Sequence, residues 1–160
     1  LIIFIYQTNI MREQSKLSVK PRLAFVTNFE SMDSTVIFQQ LILNKGLGPA
    51  LIDSIYFKHN GSKHTLNLMS FLKSEVPQLS TMGNIIQSST MSSGSTLTPD
   101  EEKSIFIFEL PYNSVDEMYT LLDIQQDETP FLIEVIYTSL YEDEYWRISN
   151  KETKPEKLSE

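Results

Sequence analysis

Residues 131–141, which read FLIEVIYTSLY, are the stretch that decides the fold. Phe131, Ile133, Val135 and Tyr137 alternate with a second set of side chains, and this period of two indicates a β-strand. Three acidic residues interrupt the pattern at 142–144, after which a shorter alternating stretch follows. The sequence therefore predicts an antiparallel hairpin near the end of the chain.

The same kind of pattern recurs along the chain, separated by turn signals. The predicted strands are residues 22–29, 35–43, 51–59, 63–68, 104–110, 131–141 and 145–149. Gln39-Gln40 interrupts the second strand and predicts a β-bulge or an edge. Asn60-Gly61 predicts a two-residue hairpin turn, because both residues tolerate a positive φ. About seven strands with turns between them favour a mainly β fold, an antiparallel β-sandwich of two sheets.

Two short helices are expected among these strands. Residues 68–76 carry apolar side chains at helical spacing, and Ser114 with Glu117 forms a capping-box pattern that opens the second helix. The apolar face of the second helix comprises Val115, Met118, Leu121 and Leu122. Residues 79–99 are rich in Ser and Thr, and we interpret them as a long surface loop with a short helix near Ile85-Ile86.

The composition fits one globular domain and excludes several kinds of site. The chain has 160 residues, of which 41% are hydrophobic, and it contains no cysteine. A disulfide scaffold, a thiolate metal site and a cysteine nucleophile are therefore excluded. The net charge of −8 disfavours nucleic acid as a partner, because phosphate contacts need a basic surface.

The chain opens with the apolar run LIIFIY, which basic residues follow. Six residues are too few to cross a bilayer, which takes about 20. We interpret the run as the last turns of a transmembrane or juxtamembrane helix with Tyr6 at the interface; a first strand or a free chain end is the alternative. Arg12, Lys16, Lys20 and Arg22 favour a cytoplasmic location for the domain that follows, and the extracytoplasmic side stays open.

Charge is distributed unevenly and supports an anchored domain. Residues 1–95 carry a net charge of +3, whereas residues 96–160 carry −11. Anionic lipid would attract the basic part and leave the acidic part away from the membrane. We therefore expect the end of a membrane anchor with a basic juxtamembrane segment over residues 1–20, a β-sandwich over 21–150, and a disordered charged tail over 151–160.

Residues 44–55, NKGLGPALIDSI, resemble the strand–loop–strand signature of a group of uncharacterised bacterial proteins, in which a membrane helix precedes an immunoglobulin-like β-sandwich. Residues 97–103, LTPDEEK, resemble the turn before a late strand of such sandwiches, where Gly often stands in place of Asp100. Residues 131–146 are similar to the closing hairpin of the group. The resemblance implies an immunoglobulin-like fold and a single-pass anchor in the bacterial inner membrane. It brings no catalytic or binding residue.

Candidate chemical sites are few. His59 and His64 flank the Asn60-Gly61 turn, but zinc needs three or four ligands, and we interpret both histidines as exposed hairpin residues. The acidic residues at 142–144 lack the surrounding oxygen ligands of a calcium loop. Residues 92–95, SSGS, do not match the nucleophile elbow of a hydrolase. We therefore predict no catalytic residue, metal or cofactor.

Aromatic residues of the last hairpin are the one candidate partner surface. Tyr141, Tyr145 and Trp146 form an aromatic patch if they are exposed, and they belong to the core otherwise. The leading hypothesis is a non-enzymatic, membrane-anchored domain that binds another protein or a second copy of itself. The alternative is a module that binds a small ligand or a carbohydrate in a pocket containing Tyr112, Tyr119 or Trp146. A third hypothesis is an enzyme with an unrecognised site.

Overall fold

Strands dominate the structure, a computed structural model that describes residues 2–121 and 131–159. Its strands are β1 (Leu23–Ser31), β2 (Thr35–Asn44), β3 (Ala50–His59), β4 (Ser62–Thr65), β5 (Asn84–Ser88), β6 (Thr96–Leu97), β7 (Glu102–Pro111), β8 (Leu132–Thr138), β9 (Tyr145–Ser149) and β10 (Glu156–Lys157). Its α-helices are α1 (Ile2–Ser18), α2 (Leu68–Glu75), α3 (Pro77–Met82) and α4 (Val115–Leu121). A single 3-10 turn at Tyr112–Ser114 precedes α4.

The strands form two antiparallel sheets. The first sheet has the order β1-β2-β7-β5, and the second has the order β10-β9-β8-β3-β4 with β6 beside β3. The loop between β2 and β3 carries the chain from the first sheet to the second. The prediction of a mainly β chain with two antiparallel sheets is confirmed, although the described residues contain ten strands rather than about seven.

The hairpin turns and the β-bulge form at the positions that the sequence predicted. The register of β2 against β7 shifts between Gln40 and Leu41, which is the expected bulge. Asn60 and Gly61 adopt φ values of 47° and 78° in the turn between β3 and β4. The acidic turn at 142–144 joins β8 to β9, and Glu142 takes a φ of 49° there.

The core lies between the two sheets and is rich in aromatic rings. Phe57 of the second sheet lies with its ring centroid 6.3 Å from that of Phe106 in the first sheet. Phe57 also lies 5.5 Å from Phe131. The alternating set Phe131, Ile133, Val135 and Tyr137 is at most 2% exposed, as its period of two predicted.

Helix α2 closes one end of the core, which we call the far end. Its first residue follows Asn67, whose side-chain oxygen accepts a hydrogen bond from the Ser70 amide at 3.0 Å. Phe71 of α2 inserts between Phe57 and Phe131 at centroid distances of 5.2 Å. The second predicted helix is present as α4 with Met118 buried, whereas Leu122 lies outside the described residues.

The stretch at 79–99 differs from the predicted long loop. It contains most of α3, all of β5 and all of β6. The predicted helix near Ile85-Ile86 is wrong, because Ile85 pairs with Phe108 and Gln87 with Ile107 in the sheet. These pairings are long-range, and they determine the conformation of a stretch that is too short and too exposed for its local pattern to indicate a strand.

The C-terminal end of the chain also differs from expectation. The tail at 151–160 was expected to lack structure, but Glu156 and Lys157 pair with Arg147 and Trp146 of β9. The start of the chain is helix α1, which has no buried residue. Within the described residues, no helix is long and apolar enough to cross a membrane.

Candidate functional site: a basic pocket at the base of the sandwich

The end of the sandwich opposite α2 is called the base here, and it is where α1 meets the sheets. At the base β1 begins, β2 ends and β9 begins. The Tyr141 hydroxyl lies 3.2 Å from the Ser15 hydroxyl of α1, and Lys16 of α1 forms an ion pair with Asp143. The hydrogen bond of this pair raises the pKa of Lys16 and lowers the pKa of Asp143.

The three residues of the predicted partner surface differ in their exposure to solvent. Tyr141 and Tyr145 are 49% and 37% exposed, whereas Trp146 is 6% exposed. The Trp146 ring packs against Tyr137 at a centroid distance of 5.9 Å, and Lys20 lies over it with Nζ 5.1 Å from the centroid. Trp146 is thus a core residue with one edge at the base, and only the two tyrosines are available on the surface.

The crossover loop between β2 and β3 is fixed at the base by Asn44, which is fully buried. Its side-chain amide donates to the carbonyl oxygens of Gly48 at 2.8 Å and Leu97 at 3.0 Å. Its side-chain oxygen accepts from the amides of Gly46 at 2.9 Å and Arg22 at 3.2 Å. One side chain therefore holds together the crossover loop, the start of β1 and β6.

The two glycines of this loop are required by close backbone approach. A Cβ atom on Gly46 would lie 2.3 Å from the Arg22 nitrogen, and one on Gly48 would lie 1.9 Å from the Val19 oxygen. The loop also donates two amides to this segment, from Lys45 to the Arg22 oxygen and from Leu47 to the Lys20 oxygen. Close packing of the crossover loop against the chain before β1 therefore accounts for both glycines.

A pocket of about 440 Å³, which we call the basal pocket, opens between this loop, residues 17–22 and the C-terminal segment. Its aromatic lining consists of Tyr137 and Trp146, and its aliphatic lining consists of Leu17, Pro21, Leu47 and Pro155. Its charged lining consists of Lys20, Arg22, Lys45 and Lys154. It has four cations and no carboxylate, in a chain whose net charge is −8.

Tyr137 lines the basal pocket although its side chain is almost fully buried. Its hydroxyl accepts a hydrogen bond from the Leu23 amide at 3.3 Å, and burial raises the pKa of Tyr137 to about 12. Of the aromatic residues considered for a ligand pocket, Trp146 lines this one. Tyr112 and Tyr119 lie toward the far end of the first sheet, where Tyr119 contacts Phe29 at 5.7 Å.

The prediction that both histidines are exposed is wrong, because α2 packs over the β3–β4 hairpin. His59 is 5% exposed, and both imidazole rings contact the Phe71 ring by their edges. His59 Nδ1 lies 3.5 Å and His64 Nε2 lies 3.6 Å from the carboxylate oxygens of Glu75. Within residues 2–121 and 131–159, no group of three or more His, Cys, Asp or Glu is arranged to hold a metal ion.

Glu134 is a buried carboxylate on the outer face of the second sheet. It accepts a short hydrogen bond from the Tyr56 hydroxyl, and an Arg147 nitrogen lies 3.9 Å away. Burial and this hydrogen bond raise the pKa of Tyr56. The group ties β3, β8 and β9 together, and we assign it a structural role.

Sequence reasoning found the aromatic hairpin and the crossover loop, but it missed the pocket that they form together. Lys45 and Lys154 stand more than one hundred positions apart, so no local motif joins them. The only available signal was the excess of basic residues over acidic ones at 12–22.

Comparisons with protein-family models, curated proteins and solved structures find no match for this chain.

Proposed function

We propose that this chain is a non-enzymatic interaction domain with an immunoglobulin-like fold. In this proposal, the start of α1 attaches it to a membrane, and the edge of β1 binds another protein or a second copy of the chain. The observation that carries the proposal is the unprotected edge of β1.

Strand order supports the immunoglobulin-like assignment. The order β1-β2-β7-β5 corresponds to strands A-B-E-D of that fold, and β9-β8-β3-β4 corresponds to G-F-C-C′. The crossover between β2 and β3 then takes the place of the B–C connection between the sheets. The added strands β6 and β10 are two residues long, so they extend this pattern without changing its order.

The edge of β1 has the features of a site for strand addition. This strand has nine residues and pairs with β2 on one side only within the described residues. Natural edge strands are protected by lysine, proline or short length, but β1 contains neither residue type and its only charge is Glu30. Its last five residues, 27–31, are all exposed. A partner strand can therefore add to it by main-chain hydrogen bonds.

The start of α1 supports attachment to a membrane. Ile2, Ile3, Phe4, Ile5 and Tyr6 are between 57% and 83% exposed, which is an unusual cluster of apolar side chains in contact with water. The basic residues that follow favour the cytoplasmic side of a bacterial inner membrane. Insertion of this cluster into a lipid interface would remove its apolar surface from water.

The experiment places a photocrosslinking amino acid at Glu30 of the full-length protein in its native membranes. We expect one stoichiometric crosslinked partner, which mass spectrometry identifies as a second copy or as another protein. Asn28→Lys is expected to abolish the crosslink, because a lysine protects the edge. Gln87→Lys, on the opposite edge strand of the same sheet, is the matched control and should retain it. A protein without a crosslinked partner, or an Asn28→Lys variant that crosslinks normally, would overturn the proposal.

The alternative of a ligand-binding module is favoured by one specific observation. The basal pocket has a volume of about 440 Å³ and contains the ring of Trp146. This volume lies within the range of about 300–1,000 Å³ that is usual for small-molecule sites.

A further inference from the structure

We infer that the basal pocket binds a phosphate monoester that carries an apolar or ring-bearing body. This inference goes beyond the proposed interaction function and does not depend on it. It rests on the charge, the lining and the rigidity of the pocket.

The charge of the pocket is uncompensated within the described residues. Lys20, Arg22, Lys45 and Lys154 have no carboxylate within ion-pairing distance, although the chain has 21 acidic residues against 13 basic ones. Other cations of the chain do find partners, such as Lys157 with Glu144 at 2.6 Å. Four like charges around one cavity repel each other. An anion bound in the cavity attracts all four and offsets this repulsion.

The acidic residues beside the pocket line a different depression. Leu17, Lys20 and Trp146 also border this neighbouring depression, which contains Glu13, Asp143 and Glu144. Asp143 and Glu144 pair with Lys16 and Lys157. The ion pairs thus neutralise two carboxylates of the hairpin turn, and none of the three carboxylates lines the basal pocket.

The number and type of cations favour phosphate over a single carboxylate. A phosphate monoester carries about −1.5 to −2 charges near neutral pH and has three acceptor oxygens. Arg22 offers the planar donor pair that binds two of these oxygens, and the lysines act as point charges around them. A monocarboxylate would leave most of the positive charge unmatched.

The remaining lining requires more than a bare anion. The Leu47 side chain is 74% exposed at the rim, whereas Trp146 is 6% exposed with Lys20 over its ring and offers the pocket only a small part of its surface. Inorganic phosphate would occupy a small part of the volume of about 440 Å³ and would leave the Leu47 side chain in water. A ligand whose apolar body packs on Leu47 uses both the charged and the apolar part of the lining.

The wall of the pocket is rigid before a ligand arrives. Asn44 makes four hydrogen bonds that fix the loop carrying Lys45 and Leu47. Gly48 lets this loop contact the backbone of Val19. A preformed wall reduces the ordering cost of binding. The lining contains neither imidazole nor carboxylate to serve as a general acid or base, so we infer binding rather than turnover.

The phosphate can come from two sources. One is an anionic lipid whose headgroup is a phosphate monoester, such as phosphatidic acid, since α1 carries exposed apolar residues toward its start. The other is a soluble phosphorylated metabolite. The chemistry recognised by the four cations is the same in both.

The test uses Trp146 as its reporter, because it is the only tryptophan of the chain. The fluorescence of the full-length protein is titrated with phenyl phosphate, with phenol and with inorganic phosphate. In a second arm, binding is measured to phosphatidylcholine vesicles with and without phosphatidic acid. Arg22→Gln/Lys45→Gln removes two pocket charges, and Lys58→Gln/Lys73→Gln removes the same charge elsewhere.

A soluble source predicts saturable binding of phenyl phosphate, weaker binding of inorganic phosphate and no binding of phenol. A lipid source predicts binding that phosphatidic acid enhances. In either case the pocket variant should bind about tenfold more weakly or worse, and the control variant should match the wild type. Absence of binding in both arms, or equal losses in the two variants, would overturn the inference. Attachment to pure phosphatidylcholine separately tests the apolar start of α1, so the two proposals can fail independently.

Discussion

At the scale of single residues, Asn44 joins three segments of the base through four side-chain hydrogen bonds. Its side chain satisfies the backbone groups of Gly46, Gly48, Leu97 and Arg22, which belong to segments distant in sequence. Buried backbone groups that lose their partners pay the full cost of desolvation. The asparagine is therefore the residue on which the geometry of the base depends.

Asn44→Ala is expected to lower the free energy of unfolding by about 2–4 kcal/mol, because it leaves several buried polar groups without partners. The measurement is urea denaturation followed by Trp146 fluorescence. Asn28→Ala, an exposed asparagine of β1, is the matched control and should change stability by less than about 0.5 kcal/mol. Equal effects in the two variants would contradict the role assigned to Asn44.

Asp100 has a backbone conformation that no local pattern predicted. It adopts a φ of 61° in the turn before β7. That left-handed conformation favours Gly, and Asp tolerates it better than most residues because its short side chain can bond locally. The Asp100 amide donates to the Asn44 carbonyl oxygen at 2.9 Å, which ties this turn to the end of β2.

At the scale of elements, local patterns predicted the strands with clear alternation or a hairpin turn signal, and they failed for β5, β6 and β10. The strand at β8 was predictable because Ile133, Val135 and Tyr137 alternate and are buried. The strand at β5 was not, since four of its five residues are exposed and their alternation carries no burial signal. Its strand geometry comes from pairing with β7, which is a long-range effect.

The turn that leads into β7 should make stability depend on pH. The Glu101 carboxylate accepts hydrogen bonds from the Thr98 amide at 2.7 Å and from the Thr98 hydroxyl at 3.0 Å. Lys103 lies 3.3 Å away. These contacts, the backbone bond first, lower the pKa of Glu101 below its ordinary value. Folding therefore gains stability above the unfolded-state pKa and loses it as the pH falls through the folded-state pKa.

We expect Glu101→Gln to be less stable than the wild type at pH 7 by about 0.5 kcal/mol, a small value because the turn is exposed. The difference should disappear at acidic pH, where the wild-type carboxyl is protonated as well. Urea unfolding of both proteins across this pH range measures it. Glu102→Gln, at the next and exposed position, should give a difference that does not follow this titration. A Glu101→Gln difference that persists in acid would refute the assignment.

At the scale of the whole molecule, the basal pocket is a product of topology. Lys20 precedes β1, Lys45 follows β2 and Lys154 lies between β9 and β10. They meet because β1 and β2 lie at one edge of the first sheet and β9 and β10 lie at one edge of the second. The chain segments that carry the three lysines all reach the base. The sequence contains each cation but not the strand order that brings them together, and without that order the pocket could not be predicted.

The same topology leaves α1 outside the two sheets. The helix has no buried residue, and Ser15 and Lys16 near its end provide its side-chain contacts with the sheets. Exposed contacts of this kind add little to the stability of a fold, because water and salt screen them. Removal of residues 1–14 keeps both contacts and should leave the urea midpoint within experimental error, while Phe71→Ala should lower the free energy of unfolding by about 3–5 kcal/mol. If the truncated protein unfolds at distinctly lower urea, then α1 packs as part of the domain. If it keeps its midpoint but no longer binds phosphatidylcholine vesicles, the apolar start of α1 serves attachment rather than folding.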